Sequence, residues 1–346
     1  MRIHLLDDSF PWLAQHSGFA MLPRSLVLNG CDGIVTKGGR GFLSRAAGKV
    51  YSAWKGHPPR DQAAAAAEWK FISRLRFSDS AGHVLFLENH LRFLPPPSGK
   101  MRWIGTIHLP RRCWNEEDLA LLRAMPGVLV LCDSMREQFS DVLDSTQIWV
   151  VPYGVDTSFF KPGHAGVDSP RQTLLYVGAW LRNTTMLARL VPEISRRFPK
   201  VVFDFVVPLH ARDDEWLRTL GDNPSIRWHQ GLSDESLRDL YQNATALLLP
   251  MEDGGANNAV VEALACGLPI ITTDVGGIRS YGGGALFPLV ANNDDSNCVE
   301  LVAAYLTDRD FAASVSSGCR KFAETRLEWA IAAKEYIRVY RELGFL

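Results

Sequence analysis

The sequence predicts an α/β protein built from two Rossmann-like domains facing across a cleft. Short strand patterns alternate with helical patterns along the chain, and the strand patterns are apolar throughout instead of at every second residue. Strands of that kind are buried on both faces, as in parallel sheets covered by helices. At 346 residues the chain is also long enough to give each of two domains its own core.

The alternation is clearest in the second half. TLLYVGAW (173–180) reads as a strand ending near a glycine, and NTTMLARLVPEISRRF (183–198) as a helix despite its proline. KVVFDFVVP and SIRWHQGL are strands, with a short helix around Asp213–Leu220 between them. SDESLRDLYQNA opens on Ser233, a residue type that caps helix starts, with Glu235 in the first turn. ALLLP, a helix, and PIITTDV complete a domain spanning roughly residues 169–323. In the first half, RIHLLDD, LVLNGCDGIVT, HVLFLEN, RWIGTIHLP, VLVLCDS and QIWVVPYG are strand candidates, with EEDLALLRAM and SMREQFSDVL as helices. KGHPPRDQAAAAAEWKFISRL reads as a proline loop and an alanine-rich surface helix. PYGVDTSFFKPGHAGVDS (152–169), rich in Gly, Pro and Ser, reads as the link between the halves. The expected domains are 1–165, 166–323, and a C-terminal amphipathic helix within 324–346 that packs back toward the first domain.

Composition narrows the class. An apolar fraction of 47%, a charged fraction of 22% and a net charge of -1 describe an ordinary globular chain and give no reason to expect a nucleic-acid partner. The six cysteines show no metal-ligand spacing, and free thiols are the natural reading. MRIHLLDDSFPW lacks the apolar core of a signal peptide, and the longest apolar runs are too short to cross a bilayer, so the expectation is cytoplasmic, with peripheral membrane contact left open.

DGGANNAVVEALACGLPIITTDVGG (253–277) carries the chemistry. ALLLP ends at the carboxyl edge of its sheet, so Asp253, Gly254, Gly255, Ala256, Asn257 and Asn258 fall on the ligand side. They lead into a helix N-terminus that favours an anion, and the glycines admit a close approach to the backbone. Glu262, one turn further in, can accept two hydroxyl protons as a ribose requires. Asp274, Gly276 and Gly277 return to the same edge in a second small loop with exposed amides. The sum is a site for a phosphorylated, hydroxyl-rich molecule. A Walker loop, a nucleophile elbow and an early GxGxxG are all absent, which argues against a kinase, an ATPase or a simple dehydrogenase.

ANNAVVEALACGLPIITTDVGG resembles the donor-site signature of family 4 glycosyltransferases, retaining enzymes of the GT-B fold. VVPYGVDTSFFKP, LLYVGAW and GLSDESLRDLYQNATALLLP resemble three further segments of that family, in the right order across most of 148–280. The first domain matches only through HSGF at 16–19 and TIHLP ending near 108–110. The resemblance implies a UDP-, GDP- or ADP-sugar donor, a glycan, lipid or small-molecule acceptor, and no metal. It implies that Glu262 meets the nucleotide ribose, that Asp253 to Asn258 lie against the transferred sugar, and that Gly276 and Gly277 lie near it. Gly178 falls at the family's strand-end glycine. The family's Arg and Lys positions are Ala179 and Thr184 here, which leaves Arg182 as the substitute for the diphosphate contact. The first acid of the family's glutamate pair is Gly254, with Asp253 the nearest carboxylate. His108, at a strand end, matches a histidine that contacts the sugar. His16, Ser17, Gly18, Glu88 and His90 are weaker acceptor-side candidates. No catalytic nucleophile is implied, the usual proposal being a front-face route with the leaving phosphate as base. A nucleotide-sugar 2-epimerase and a catalytically degenerate partner subunit are the alternatives.

Overall fold

The computed structural model describes residues 2–7, 15–39, 41–54, 61–163 and 172–346. They divide into two compact units. The first holds 2–7, Phe19–Tyr153 and Trp329–Leu346; the second holds 15–18 and Gly154–Glu328. The segment read as a link therefore belongs to the second unit from Gly154 to Gly163, and the expected boundary at 165/166 lies outside the described residues.

The first unit is built on six parallel strands. They are β1 (Arg2–Leu6), β2 (Asp32–Thr36), β3 (Ala81–Val84), β4 (Trp103–Ile107), β5 (Val128–Val130) and β6 (Ile148–Val150), in the order β2-β1-β3-β4-β5-β6. Parallel neighbours need crossover connections, supplied by α1 (Leu22–Leu28), α2 (Phe42–Trp54), α3 (Gln62–Arg76), α4 (Leu87–His90), α5 (Glu116–Arg123) and α6 (Asp133–Gln138). β3, β4 and β5 are buried at every residue, the polar His83 and Thr106 included.

Three sequence expectations fail here. The leading LVL of LVLNGCDGIVT ends helix α1, which starts with a proline in its first turn. HVLFLEN is strand only to Val84, after which the chain turns into α4. The alanine-rich helix α3 is not surface structure, because Ala64 to Ala67 are buried. Its small residues admit α2 closely, and a Cβ on Gly48 would meet the Gln62 carbonyl oxygen at 1.9 Å.

The second unit repeats the plan with β7 (Thr173–Val177), β8 (Val202–Val206), β9 (Ile226–His229), β10 (Ala246–Leu249), β11 (Ile270–Thr273) and β12 (Leu289–Val290). Their order is β12-β11-β10-β7-β8-β9, again all parallel. Its helices are α7 (Thr184–Arg197), α8 (Glu215–Thr219), α9 (Asp234–Asn243), α10 (Asn258–Cys266), α11 (Asp295–Thr307) and α12 (Arg309–Phe322). Ser233 caps α9 by accepting the Ser236 amide, as read from sequence. The chain leaves β7 toward β8 and β9, then crosses back to β10. The carboxyl ends of β7 and β10 thus lie side by side at a reversal of strand order, where open α/β sheets bind ligands.

The last helix, α13 (Trp329–Glu342), groups with the first unit. Its Tyr340 hydroxyl lies 2.7 Å from Nδ1 of buried His83, whose Nε2 meets Thr106 at 2.7 Å. Tyr336 and Trp329 join Phe86, Tyr153 and His108 around the buried ring of Phe19.

Candidate functional site

Three loops at the carboxyl edge of the second sheet make the candidate site. The loop after β7 runs from Gly178 to Asn183. Gly178 has a φ of 85°, and a Cβ there would lie 2.9 Å from the Arg182 guanidinium. Leu181 sits at a φ of 57°, a region that costs a non-glycine residue on the order of 1–2 kcal/mol. That geometry is held by the end of β10: the Glu252 amide donates to Leu181 O, and the Asn183 amide to Pro250 O. Arg182 is thereby folded back to donate to the carbonyls of Val177 and Trp180, and to Oδ1 of Asn257 at 3.3 Å. Among the described residues no carboxylate pairs with it. Burial draws the guanidinium below its usual pKa, the mark of a cation held without a counter-charge.

The loop after β10 begins α10. Asn257 caps that helix by accepting the Ala259 amide at 3.0 Å, and Gly267 ends it at a φ of 65°. Ahead of the cap, half-buried Asp253 accepts the Gly254 amide at 2.7 Å. Gly255 is buried, whereas Ala256 and Asn258 are half-buried. The second glycine loop closes onto this one. Gly276 has a φ of 56°, and a Cβ on it would meet Gly254 O at 2.2 Å and Gly254 N at 2.7 Å. The Gly277 amide donates to Gly254 O at 2.7 Å. The expectation of a loop with exposed amides is corrected here, since one of them is consumed in joining the two loops. Asp274 is likewise engaged, in a two-point pair with Arg279.

Glu262 is buried on α10, 2% exposed, and its Oε1 accepts the Ser17 hydroxyl at 2.5 Å. The Tyr241 hydroxyl of α9 also faces this carboxylate without reaching hydrogen-bond geometry, so Ser17 is its direct donor. Burial pushes the Glu262 carboxyl up to about 7, against the opposing pull of the two hydroxyls. His16 is fixed beside it, stacked on Phe159 at 3.6 Å with Nδ1 2.9 Å from Asp156. Burial opposes ionisation of Asp156, but hydrogen bonds from Ser158, His16 and the Phe159 amide hold its carboxyl below the usual range. Gly18, at a φ of 66°, ends this segment. The four residues 15–18 thus belong to the second unit. Sequence reading missed the Ser17–Glu262 pair because 245 positions separate its partners and no local pattern links them. Tyr241, by contrast, was findable as an inward position on α9.

The remaining candidates lie in the first unit. The His108 ring follows β4, stacks on Phe86 at 4.4 Å and meets Phe19 edge-on at 5.3 Å. Glu88 Oε1 lies 3.3 Å from its Nδ1, and the Glu88 carboxylate accepts the His108 amide at 3.4 Å. Glu88 reaches His108 from α4, not from a strand end. His90 is corrected as an acceptor contact: it is fully buried, with Nδ1 2.8 Å from buried Glu68, because the turn into α4 points it inward. Among the described residues no group of three or more His, Cys, Asp or Glu is placed to hold a metal ion.

Two outcomes follow from this geometry. Gly276→Ala is expected to destabilise the chain by at least about 2 kcal/mol in urea unfolding, because it combines left-handed strain with a backbone overlap. Glu262 sets a pH dependence. Between the ordinary glutamate range and about 7, the folded chain holds a proton that the unfolded chain has released. Its contribution to stability therefore falls as pH rises across that window and is level above it. Glu262→Gln should flatten the difference between pH 5 and pH 8 by up to about 3 kcal/mol. An unchanged pH profile would show that Glu262 titrates normally.

Comparison with known proteins agrees with this architecture. Residues 171–308 match the family model described as Glycosyl transferases group 1. A curated relative, the MMP alpha-(1->4)-mannosyltransferase of Mycolicibacterium hassiacum, is 25% identical over 70% of this chain and 58% of its own length. The chain thus spans little more than half of that protein. Sucrose-phosphate synthase from Thermosynechococcus elongatus shares the fold over 99% of both chains, with a TM-score of 0.72 and 17% identity. The Anabaena protein Alr3699/HepE, solved with UDP and glucose, does so over 99% of this chain and 100% of its own, with a TM-score of 0.73 and 12% identity. The chain has the GT-B fold, and residues 171–308 match the Glycosyl transferases group 1 model.

Proposed function

We propose that this protein is a glycosyltransferase that moves a sugar from a nucleoside diphosphate sugar to an acceptor hydroxyl, with retention of anomeric configuration. The observation that carries the reading is Arg182, a guanidinium without a carboxylate partner among the described residues, beside the capping Asn257 of α10. A cation and a helix N-terminus pointed at one place stabilise a phosphate, and do so most where negative charge develops on the leaving diphosphate. Glycines 254 and 276 let the two loops pack backbone against backbone beside them. Glu262 would accept ribose hydroxyls in its ionised form, sharing its carboxylate with Ser17. Asp253 would address the transferred sugar. The reaction so written calls on no metal, since Arg182 and the helix supply the positive charge. The matched family segment, the mannosyltransferase relative and a fold neighbour solved with UDP and glucose support the donor class.

Two observations favour a second reading, a catalytically degenerate partner subunit. Ser17 already occupies one oxygen of Glu262, and the family's first glutamate is replaced by Gly254.

Thermal unfolding against UDP, GDP, ADP and their sugar conjugates tests the proposal. One nucleotide series should raise the melting temperature, since a ligand at a hundred times its Kd adds roughly 2.7 kcal/mol. Arg182→Ala should weaken that binding about ten- to a hundredfold, the worth of a charge-assisted hydrogen bond. Binding without transfer or donor hydrolysis would favour the degenerate subunit. No shift with any nucleotide would overturn the donor site.

A further inference from the structure

A second surface, independent of the donor site, lies on α2 and α3 of the first unit. Of the large apolar side chains left exposed among the described residues, most fall between Val27 and Phe77. The densest group is on α2, where Phe42 is 84% exposed, Leu43 82%, Val50 61% and Trp54 72%. At 100° per residue these four, with exposed Ala46 and Ala53, share about a third of the helix circumference. The opposite side of α2, with Gly48 and Tyr51, packs on α3. The Tyr51 ring stacks on Trp69 of α3, itself 42% exposed, and leans on Trp54, so an aromatic row continues the apolar face. A contiguous exposed apolar face of this kind marks an interaction surface.

Charge identifies the partner. Arg45 and Lys49 run along one border of the apolar arc, both exposed and without a carboxylate partner among the described residues. Residues 37–60 hold six basic side chains and no acidic one, in a chain whose net charge is -1. Long basic side chains beside Trp, Phe and Leu on one helix match the layered chemistry of a bilayer surface: acyl chains below, anionic headgroups at the level of the ammonium and guanidinium groups. A second copy of the same face would bring like charges together.

We infer that α2, with Trp69 of α3, docks this protein on anionic lipid bilayers, burying Phe42, Leu43, Val50 and Trp54 in the headgroup boundary while Arg45 and Lys49 pair with lipid phosphates. Sequence reading left peripheral membrane contact open, and only the exposure of α2 reveals its apolar side.

Co-sedimentation with vesicles tests the inference. The full chain should bind equimolar phosphatidylglycerol–phosphatidylcholine vesicles, bind phosphatidylcholine alone at least about tenfold more weakly, and release in high salt. Arg45→Glu with Lys49→Glu should abolish binding, and so should Phe42→Ser with Leu43→Ser and Trp54→Ser. All five side chains are exposed, so both variants should keep the parent's unfolding transition. Retained binding in either folded variant, equal binding to neutral vesicles, or no binding to anionic ones would overturn it. Concentration-dependent dimerisation lost in the apolar variant would overturn it too, by assigning the face to a second copy.

Discussion

The candidate site depends on one close approach, that of the Gly276 backbone to Gly254. Two loops that follow different strands, β10 and β11, come so near that no side chain fits between them, and the Gly277 amide bonds across the gap. Backbone paired to backbone in this way holds the start of α10 in place without bulk above it. A third loop, from β7, is pinned to the end of β10 through Leu181 and Asn183, and its strained turn points Arg182 back toward the helix cap. Three loops converge because the strand order reverses between β7 and β10, so the topology decides where the chemistry sits.

Two charges in this region are held at a cost. Among the described residues Arg182 has no carboxylate partner, and Glu262 is buried with a hydroxyl for a partner. A chain optimised for stability alone would avoid both. Both lie in the second unit. Perturbed groups gather at functional sites for this reason, although ion-pair networks also produce them. The Ser17–Glu262 bond adds a condition, because a ligand that uses the carboxylate must share it or displace the serine.

Much of the fold was legible because parallel sheets leave a plain signature. ALLL is apolar and buried without interruption, and the strand IITT is buried throughout although half of it is threonine. HVLFLEN failed because apolarity alone does not separate the end of a strand from the start of a short buried helix, and His90 went inward with that helix. The alanine run of α3 was misjudged because alanine fits a surface as well as a tight helix contact, and only the approach of Gly48 decides between them. In the site, the glycine pattern and the helix cap were readable as local grammar. The Ser17–Glu262 and His16–Asp156 bonds were not, since they join segments far apart in the chain. Membrane chemistry on α2 was hidden for a related reason: a helical pattern gives two faces and does not say which one the protein covers.

The central claim is that a diphosphate seats where Arg182, the α10 N-terminus and the paired glycine loops meet. Crystals of the protein soaked with UDP, GDP and ADP test it most directly. The account predicts difference density for the diphosphate beside Arg182 and Asn257, with the ribose directed at Glu262. A nucleotide bound elsewhere on the chain, with the space beside Arg182 unchanged, would contradict it.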